Sequence, residues 1–297
     1  DLHSFPTRRS SDLHIARGSA LFESICQQPE YYLTRTETTI LRGAATDLTR
    51  LIGAHALLVE LGSGTSIKTR LLLDRLDEPA GYVPVDISGS ALFEAARDVR
   101  RGYPWLDVMP VCTDFTRGFT LPVSAHATHR VAVFFPGSTI GNFDVLEAVR
   151  LMRAMRTVAG HGGVLVVGVD LVKDAARLEA AYNDEAGVTA NFNLNVLRRL
   201  NRELRADFDL EAFEHEAVWV AALSRIEMRL VSKRRQQVAV SGRTIGFGTG
   251  ERLVTEHCHK YTIDDFRSLA RAAGWSPRHV WTAIWRSEER RVGKECR

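Results

Sequence analysis

Two glycines follow the first strongly apolar run of the chain, in the sequence Glu60-Leu61-Gly62-Ser63-Gly64. Glycine is favoured where a strand turns tightly into a helix and where the backbone approaches a ligand, because a side chain would collide there. Ligands of open α/β sheets bind outside the carboxyl ends of the strands. The turn therefore predicts a nucleoside-type ligand at this strand end, although Gly-x-Gly alone also occurs in ordinary tight turns.

The residues around the two glycines narrow the class of ligand. The third glycine of the dinucleotide-binding pattern Gly-x-Gly-x-x-Gly is replaced by Ile67, which disfavours a pyrophosphate at the helix N-terminus. Glu60 precedes the turn; its carboxylate would repel phosphates but suits a ligand with an ammonium group. S-adenosylmethionine has an ammonium, a sulfonium and no phosphate, so the turn favours this cofactor.

Acidic residues close the next two predicted strands. Asp86 follows Gly64 by 22 residues, where a carboxylate can accept both ribose hydroxyls or, alternatively, cap the next helix. Asp114 precedes Phe115 after the third strand, a position that fits contact with an adenine amino group and equally a turn aspartate. Lys68 in the first helix after the turn could contact the cofactor carboxylate, although a surface lysine is the ordinary alternative.

The elements that must position these residues follow a regular rhythm. Strands are predicted over 56–61, 82–85, 108–112, 130–135 and 163–169, and helices over 18–25, 37–52, 66–76, 88–100 and 144–159. Several strands are apolar throughout, which is typical of a parallel sheet covered on both faces. The pattern predicts a Rossmann-like, doubly wound α/β domain, with N-terminal helices and the cofactor-binding core over 14–174.

The rhythm changes in the second half of the chain. Helices are predicted over 175–183 and 190–207, an antiparallel strand pair over 217–240, a strand over 252–261, a helix over 263–274 and a strand near 280–285. We therefore expect an inserted helical-plus-hairpin region that binds the substrate over 175–250. A return to the core with a strand of the substrate pocket is expected over 251–285.

Composition excludes several classes of function. The formal net charge of +3 comes from 39 basic and 36 acidic side chains without a basic stripe, so nothing favours nucleic acid. The apolar runs are of strand length and shorter than the roughly 20 residues that span a bilayer. The cysteines form no Cys-x-x-Cys pair, and their positions are 26, 112, 258 and 296. We expect reduced thiols in a cytoplasmic monomer.

The two ends of the chain differ from the rest. Residues 1–13 and 286–297 resemble translated sequencing-adapter sequence. We expect both ends to be foreign to the fold.

Further motifs run in order along the chain. They are PEYYLTRTE at 29–37, the glycine turn, FFPGSTIGNF at 134–143, GVDLVKD at 168–174, AYND at 181–184, NFNLN at 191–195 and TE at 255–256. Together they closely resemble the histidine Nα-methyltransferases of ergothioneine biosynthesis, over about 17–285. The resemblance implies methylation of the α-amine of histidine, up to the trimethylated betaine, with S-adenosylmethionine as the methyl donor.

Other functions remain open at this stage. Another amino acid or an aromatic amine could be the substrate, or the chain could be a non-catalytic homologue that binds the cofactor. A nicotinamide reductase is disfavoured by the missing glycine. In-line methyl transfer requires positioning of the reactants, so we assign no catalytic residue and predict none that must act as a general base.

The resemblance also implies roles for individual residues. Asn142 and Tyr182 match residues that hold the carboxylate of the amino acid, Tyr32 matches a tyrosine beside the substrate, and Gly137 matches a glycine that lines the site. The residues that match cofactor contacts are Gly62, Lys68, Asp86 and Asp114, and Gly64 completes the predicted cofactor turn.

The imidazole ring of the substrate is expected near the strand 252–261. The resemblance implies that Glu256 hydrogen-bonds the ring and that Met228 packs near it. Alternation along the strand places Cys258 on the face of Glu256, and His257 and His259 on the other face, so we predict no metal site. The family usually has a serine in place of Cys258; a thiol is a weaker hydrogen-bonding group, which leaves histidine specificity open.

Overall fold

The structure is a computed structural model that describes residues 16–64 and 66–283. The ends 1–13 and 286–297, which were expected to be foreign to the fold, lie outside these ranges. The helices are α1 (Ala16–Cys26), α2 (Leu33–Ile52), α3 (Ile67–Leu73), α4 (Gly89–Gly102), α5 (Val145–Ala159), α6 (Ala175–Ala180), α7 (Val188–Glu203) and α8 (Ile263–Ala272). The strands are β1 (Ala56–Leu61), β2 (Gly81–Asp86), β3 (Val111–Cys112), β4 (Arg130–Phe135), β5 (Val164–Val167), β6 (Phe213–Val220), β7 (Arg225–Ser232), β8 (Gln236–Val240), β9 (Arg243–Phe247) and β10 (Arg252–His259).

The first five strands form a parallel sheet in the order β3-β2-β1-β4-β5. In this sheet Leu58 is in register with Tyr82 of β2 on one side and with Ala132 of β4 on the other. The chain winds outward in opposite directions from β1 and β4, so a crevice lies between their carboxyl ends, where ligands of such sheets bind. The prediction of a doubly wound α/β fold is confirmed.

Apolar side chains of this sheet are buried on both faces. Phe134 packs with Leu58 and with Ile52 of α2, whereas the next residue, Phe135, packs with Met152 of α5 on the opposite face. Adjacent residues of a strand point to opposite faces. Helices on both sides therefore explain why β4 has no polar alternation.

The third strand is shorter than the sequence predicts. Regular pairing is limited to Val111 and Cys112, and Val108 makes an isolated parallel bridge to Tyr82. Pro110 lies between the two paired segments, and proline has no N–H group to donate to a strand ladder. The prediction of a continuous strand over 108–112 is therefore wrong at this position.

The second half contains more strands than the single predicted pair. β7 lies between β6 and β10 in an antiparallel sheet, and β8 pairs with β9. A two-residue turn joins β8 to β9, in which Ser241 has φ 49° and Gly242 has φ 79°. Two consecutive residues with positive φ are typical of tight hairpins. The prediction of one strand pair over 217–240 is corrected to four strands over 213–247.

The last part of the described chain returns to the core without adding a strand to the parallel sheet. β10 pairs with β7 instead. Residues 280–283 are not a strand, so that prediction is wrong there, while residues 284 and 285 lie outside the described ranges. Trp281 stacks on His279 with ring centroids 5.7 Å apart and packs against the apolar cluster under α2. The proposed division into 14–174, 175–250 and 251–285 stays a prediction.

Two contacts join the parallel sheet to β10. Leu171 and Tyr261 form an isolated parallel bridge, in which the Tyr261 N–H donates to the Asp170 carbonyl at 3.1 Å. The short 3₁₀ helix Thr139–Asn142 also packs on β10 through Gly141, where an added Cβ would lie 2.7 Å from the His259 carbonyl oxygen. These contacts place β10 beside the carboxyl edge of the sheet.

Two further observations concern the described residues as a whole. Within 16–64 and 66–283 no helix is both long and apolar enough to cross a membrane. Cys26, Cys112 and Cys258 are free thiols, and Cys296 lies outside the described residues.

Candidate active site

One continuous cavity opens at the carboxyl edge of the parallel sheet and extends to β7 and β10. All the residues predicted to bind cofactor or substrate line it. They are Tyr32, Gly62, Gly64, Lys68, Asp86, Asp114, Gly137, Asn142, Tyr182, Met228, Glu256 and Cys258. The fold therefore brings together residues that are spread over more than two thirds of the chain, although their individual roles stay predictions.

The glycine turn begins at the end of β1. Gly62 and Gly64 have φ of 69° and 46°, a backbone conformation that glycine adopts at little cost. The Gly62 N–H donates to the Val85 carbonyl at 2.8 Å, which fixes the turn against β2. Among the described residues, no heavy atom lies within 4 Å of a Cβ built on either glycine. Positive φ, and not collision with the chain itself, therefore explains the glycines, and the space beside them is open to a ligand.

Aspartates at the next two strand ends face the same space. One Asp86 carboxylate oxygen accepts from the Ser88 N–H at 2.9 Å, and the other accepts from the Gly64 N–H at 3.4 Å. Asp114 accepts from the Thr116 N–H at 3.0 Å and so begins a 3₁₀ turn. Both carboxylates thus have local structural partners. Ribose and adenine contacts by these residues remain predictions.

Glu60 lies below the glycine turn and is almost fully buried. The Tyr82 hydroxyl donates to its carboxylate, and the Ser66 hydroxyl is 3.0 Å from the Tyr82 hydroxyl. Burial raises the pKa of Glu60 to about 7, although the hydrogen bond from Tyr82 opposes the shift. Glu60 is therefore a titrating group near neutral pH, and its contact with an ammonium group stays a prediction.

Lys68 has a partner that the sequence did not indicate. Its ammonium group contacts the carboxylate of Glu37 in α2. The same carboxylate accepts from the Gly137 N–H at 2.8 and 2.9 Å, and a Cβ on Gly168 would collide with Glu37 Oε1. Glu37 therefore ties α2 to the crevice between β1 and β4. The only sequence signal was its place at the end of the motif 29–37.

The residues expected near an imidazole ring are neighbours across two strands. Glu256 of β10 is directly in register with Met228 of β7, and paired residues of an antiparallel ladder share a face. Glu256 Oε2 is buried and has no hydrogen-bond partner among the described residues. Burial raises the pKa of Glu256 to about 7, and the charge of Lys260 opposes part of that shift. An unpaired buried carboxylate is costly and indicates a place for a polar ligand.

Gly141, which directly precedes Asn142, packs closely against Cys258. A Cβ on Gly141 would lie 2.9 Å from Cys258 Sγ, so only glycine allows the 3₁₀ helix to approach β10 this closely. Asn142 is half-buried at the end of that helix, and Cys258 is buried. The approach brings a side-chain amide, which can both donate and accept, beside the pocket face of β10.

Tyr32 belongs to a buried polar cluster that sequence reasoning missed in part. Its hydroxyl donates to Asp170 Oδ2 at 2.6 Å, and Lys173 Nζ donates to Asp170 Oδ1 at 2.5 Å. Burial raises the pKa of the Asp170 carboxyl, but Lys260 and Lys173 lower it by more, so the net shift is downward. Asp170 is therefore an ionised carboxylate beside the predicted substrate residue Tyr32.

Sequence reasoning also missed Lys260. Its side chain is fully buried, with the ammonium nitrogen 3.1 Å from Asp170 Oδ2, 2.9 Å from the Tyr182 hydroxyl and 3.3 Å from Cys258 Sγ. The signal was available, because alternation along the strand from Glu256 through Cys258 reaches Lys260. A lysine on the buried face of a strand is uncommon unless it is paired.

The two histidines of β10 lie on the other face of the strand, as predicted. The Nε2 atoms of His257 and His259 are 3.5 and 3.7 Å from Asp144 Oδ1, and the three side chains could approach one cation. Burial, together with Arg225, lowers the pKa of both imidazoles. However, Arg225 Nη1 is 3.6 Å from the same Asp144 oxygen, and its charge opposes a cation. The prediction of no metal site stays a prediction.

Comparison with known proteins identifies the family. A family model described as a histidine-specific, SAM-dependent methyltransferase matches residues 9–287. The histidine N-alpha-methyltransferase of Mycolicibacterium smegmatis is 41% identical over 272 residues, which cover 90% of this chain and 84% of that protein. The protein of the same name from Mycobacterium tuberculosis is 43% identical over 271 residues, which cover 89% and 83%.

A fungal relative matches a shorter segment. Ergothioneine biosynthesis protein 1 of Neurospora crassa is 34% identical over 193 residues, which cover 64% of this chain and 22% of that protein. The family model spans all the described residues, and the mycobacterial relatives cover about nine tenths of the chain. The chain belongs to the SAM-dependent histidine-specific methyltransferase family.

Proposed function

We propose that the protein transfers methyl groups from S-adenosylmethionine to the α-amine of L-histidine, up to the trimethylated betaine. The single observation that carries the assignment is the arrangement of side chains on the pocket face of β7 and β10. There Glu256, Met228 and Cys258 lie together, and they share with Asn142 and Tyr182 the cavity that also contains the glycine turn. The mycobacterial relatives, whose names specify histidine N-alpha-methylation, support this substrate.

The residues at the sheet edge fit a nucleoside with an amino-acid moiety. Open space lies beside Gly62 and Gly64, and Asp86 and Asp114 present carboxylates to the same cavity. With Lys68, these residues would hold the cofactor. When bound, S-adenosylmethionine supplies an electrophilic methyl group on a sulfonium sulfur.

The residues of β7 and β10 fit an imidazole ring. The Glu256 carboxylate can accept a hydrogen bond from one ring nitrogen, and this bond would relieve the unpaired Oε2. Cys258 can reach the other ring nitrogen from the same strand face, and Met228 offers an apolar surface beside Glu256. Asn142 and Tyr182 would hold the carboxylate of the amino acid.

The amine must be uncharged when it attacks. Asp170 is flanked by two ammonium groups, Lys173 at 2.5 Å and Lys260 at 3.1 Å, so the cluster has an excess of positive charge. Positive charge nearby disfavours an ammonium group on the substrate. Beyond this effect the chain acts by holding the amine in line with the methyl group, and well-held reactants can gain roughly 7–11 kcal/mol.

The direct test is incubation of the purified protein with S-adenosylmethionine and each proteinogenic amino acid, followed by mass spectrometry. We expect histidine to gain one, two or three methyl groups and the other amino acids to react more slowly. Asn142→Ala is the matched variant, because it removes the proposed carboxylate contact without changing the glycine turn. Methylation of another amino acid in preference to histidine would contradict the proposal that histidine is the substrate.

A second measurement distinguishes an active methyltransferase from a non-catalytic homologue that only binds the cofactor. Calorimetric titration with S-adenosylhomocysteine reports cofactor binding without turnover. Binding of this molecule without methylation of any amine would overturn the proposed activity while leaving the cofactor site intact.

A further inference from the structure

We propose that the buried Lys260–Asp170 pair is a positioning device that sets which pocket groups donate hydrogen bonds and which accept them. The proposal rests on the proposed function, because the groups in question face an amino-acid substrate. Its consequence is a pocket that presents a donor to the carboxylate and an acceptor to the amine. The resemblance implied no role for Lys260 or for Asp170.

The ammonium group of Lys260 has three N–H donors and cannot accept. Its three polar neighbours, Asp170, Tyr182 and Cys258, lie at 3.1, 2.9 and 3.3 Å. All three donors are therefore used inside the protein, and the side chain itself is fully buried. Burial alone lowers the pKa of Lys260, but neighbouring acidic groups, the Asp170 carboxylate among them, raise it by more, so Lys260 remains charged.

The first effect of Lys260 is on Tyr182. Because the ammonium group can only donate, the Tyr182 oxygen accepts from it, and the phenolic proton must point elsewhere. Burial raises the pKa of Tyr182 well above its ordinary value, so that proton is retained. The sulfur of Cys258 also lies near this hydroxyl, and sulfur is a weak acceptor. A substrate carboxylate is therefore the stronger partner for the Tyr182 proton.

Asp170 has the opposite effect on Tyr32. An ionised carboxylate can only accept, so the Tyr32 hydroxyl donates to Asp170 at 2.6 Å. Its proton is thereby occupied, and its oxygen lone pairs remain. Tyr32 can then accept from an N–H of the substrate amine while the nitrogen lone pair stays free to attack. The two tyrosines differ in hydrogen-bond direction because they contact opposite members of one ion pair.

Lys260 also sets the direction of the hydrogen bond from Cys258. Its sulfur accepts from Lys260 at 3.3 Å, so the S–H group is left to donate to a ring nitrogen. Glu256 on the same strand face would accept from the other ring nitrogen. One buried ammonium group thus orients the contacts of the carboxylate and of the ring.

Two analogues of histidine isolate the two ends of the amino acid. Histamine has no carboxylate, and imidazolepropionate has no amine. With the protein saturated by S-adenosylhomocysteine, calorimetric titration gives the affinity for histidine and for each analogue. In the wild-type protein we expect histidine to bind at least tenfold more tightly than either analogue.

The decisive variants are Tyr182→Phe and Tyr32→Phe, each of which removes one hydroxyl and keeps the ring. Tyr182→Phe should weaken histidine and imidazolepropionate about tenfold and leave histamine within about twofold, as expected for one hydrogen bond to a charged group. Tyr32→Phe should weaken histidine and histamine and leave imidazolepropionate within about twofold. Equal weakening of both analogues by either variant would overturn the proposed directions.

The role of the ion pair itself is tested by the double variant Lys260→Met with Asp170→Asn, which removes both buried charges together. It should lose the preference for histidine over histamine, with S-adenosylhomocysteine affinity within about twofold of wild type. Lys233→Met, an exposed lysine on the same sheet region, serves as the control. Retention of the full preference would contradict the proposal. If the wild-type protein neither binds nor methylates histidine, the proposed function fails first, and this proposal fails with it.

Discussion

The cavity has two walls that hold their polar groups differently. The turn wall comprises Gly62, Gly64, Asp86 and Asp114, where polar groups are fixed by hydrogen bonds with backbone groups at strand ends. The strand wall comprises Met228, Glu256 and Cys258, with Lys260 buried behind them. Here Glu256 Oε2 has no hydrogen-bond partner among the described residues, and Lys260 depends on Asp170 and Tyr182, which are distant in sequence.

Substitutions on the two walls should differ in their effects on ligand binding and on stability. A carboxylate of the turn wall keeps local N–H partners, so its loss should change ligand binding more than stability. A charged group of the strand wall has few partners and little access to water, so its loss should change both. A substitution on the turn wall should therefore weaken ligand binding with little change in the free energy of unfolding, whereas a substitution on the strand wall should lower both.

The largest effect is expected for Asp170→Asn, which leaves Lys260 buried without its carboxylate. Breaking one member of a buried ion pair costs about 3–5 kcal/mol, and the side chains of Lys260 and Asp170 are 0% and 9% exposed. Urea unfolding of the single variants Asp170→Asn and Lys260→Met and of the double variant gives the coupling energy. Additive losses would show that the pair is not coupled.

The second-largest effect is expected in the pH dependence of the free energy of unfolding. Burial raises the pKa of Glu256 to about 7 in the folded protein from 4.5, so the folded state binds more protons than the unfolded state between these values. Stability should therefore fall as pH rises from 4.5 to 7, by at most about 3 kcal/mol from this group. Glu256→Gln should remove this part of the loss.

Unfolding free energies of wild type and Glu256→Gln at pH 5 and pH 8 check the prediction. Glu60→Gln is the matched variant for Glu256→Gln. Glu60 lies below the glycine turn, and burial raises its pKa to about 7 as well. An identical pH slope for Glu256→Gln and wild type would show that Glu256 does not titrate in this range.

A smaller effect, confined to binding, is expected for Asp86→Asn. The asparagine oxygen can still accept from the Ser88 N–H, so the unfolding free energy should stay within about 0.5 kcal/mol of wild type. Loss of a charged acceptor for ribose should weaken S-adenosylhomocysteine binding by about 1.5–3 kcal/mol. Unchanged affinity in calorimetric titration would mean that Asp86 serves the turn alone.

The smallest effect is expected for Cys258→Ser. A hydroxyl accepts from Lys260 as the thiol does, but it donates more strongly to a ring nitrogen. Histidine affinity should rise by about 1 kcal/mol, the typical net value of one hydrogen bond. Cys258→Ala, which has neither group, is the control, and equal affinities of the serine and alanine variants would argue against a bond from position 258 to the ring.

Much of the turn wall could be predicted from local sequence. The glycines, Asp86 and Asp114 all follow apolar strands, and strand ends of a parallel sheet meet at one edge. The strand wall was predicted in part, because alternation separates Glu256 and Cys258 from the histidines. The interruption of β3 at Pro110 was missed, since apolar residues flank the proline on both sides.

The sequence by itself determined which residues share a strand end or a strand face, because these relations depend on local periodicity. Only the tertiary structure decided that Lys260 meets Asp170, 90 positions earlier in the chain, and that Glu37 meets Lys68 and Gly137. Periodicity shows that Lys260 faces inward but not what lies opposite. That partner was set by the backbone bridge between Leu171 and Tyr261, which brings the end of the parallel sheet against β10.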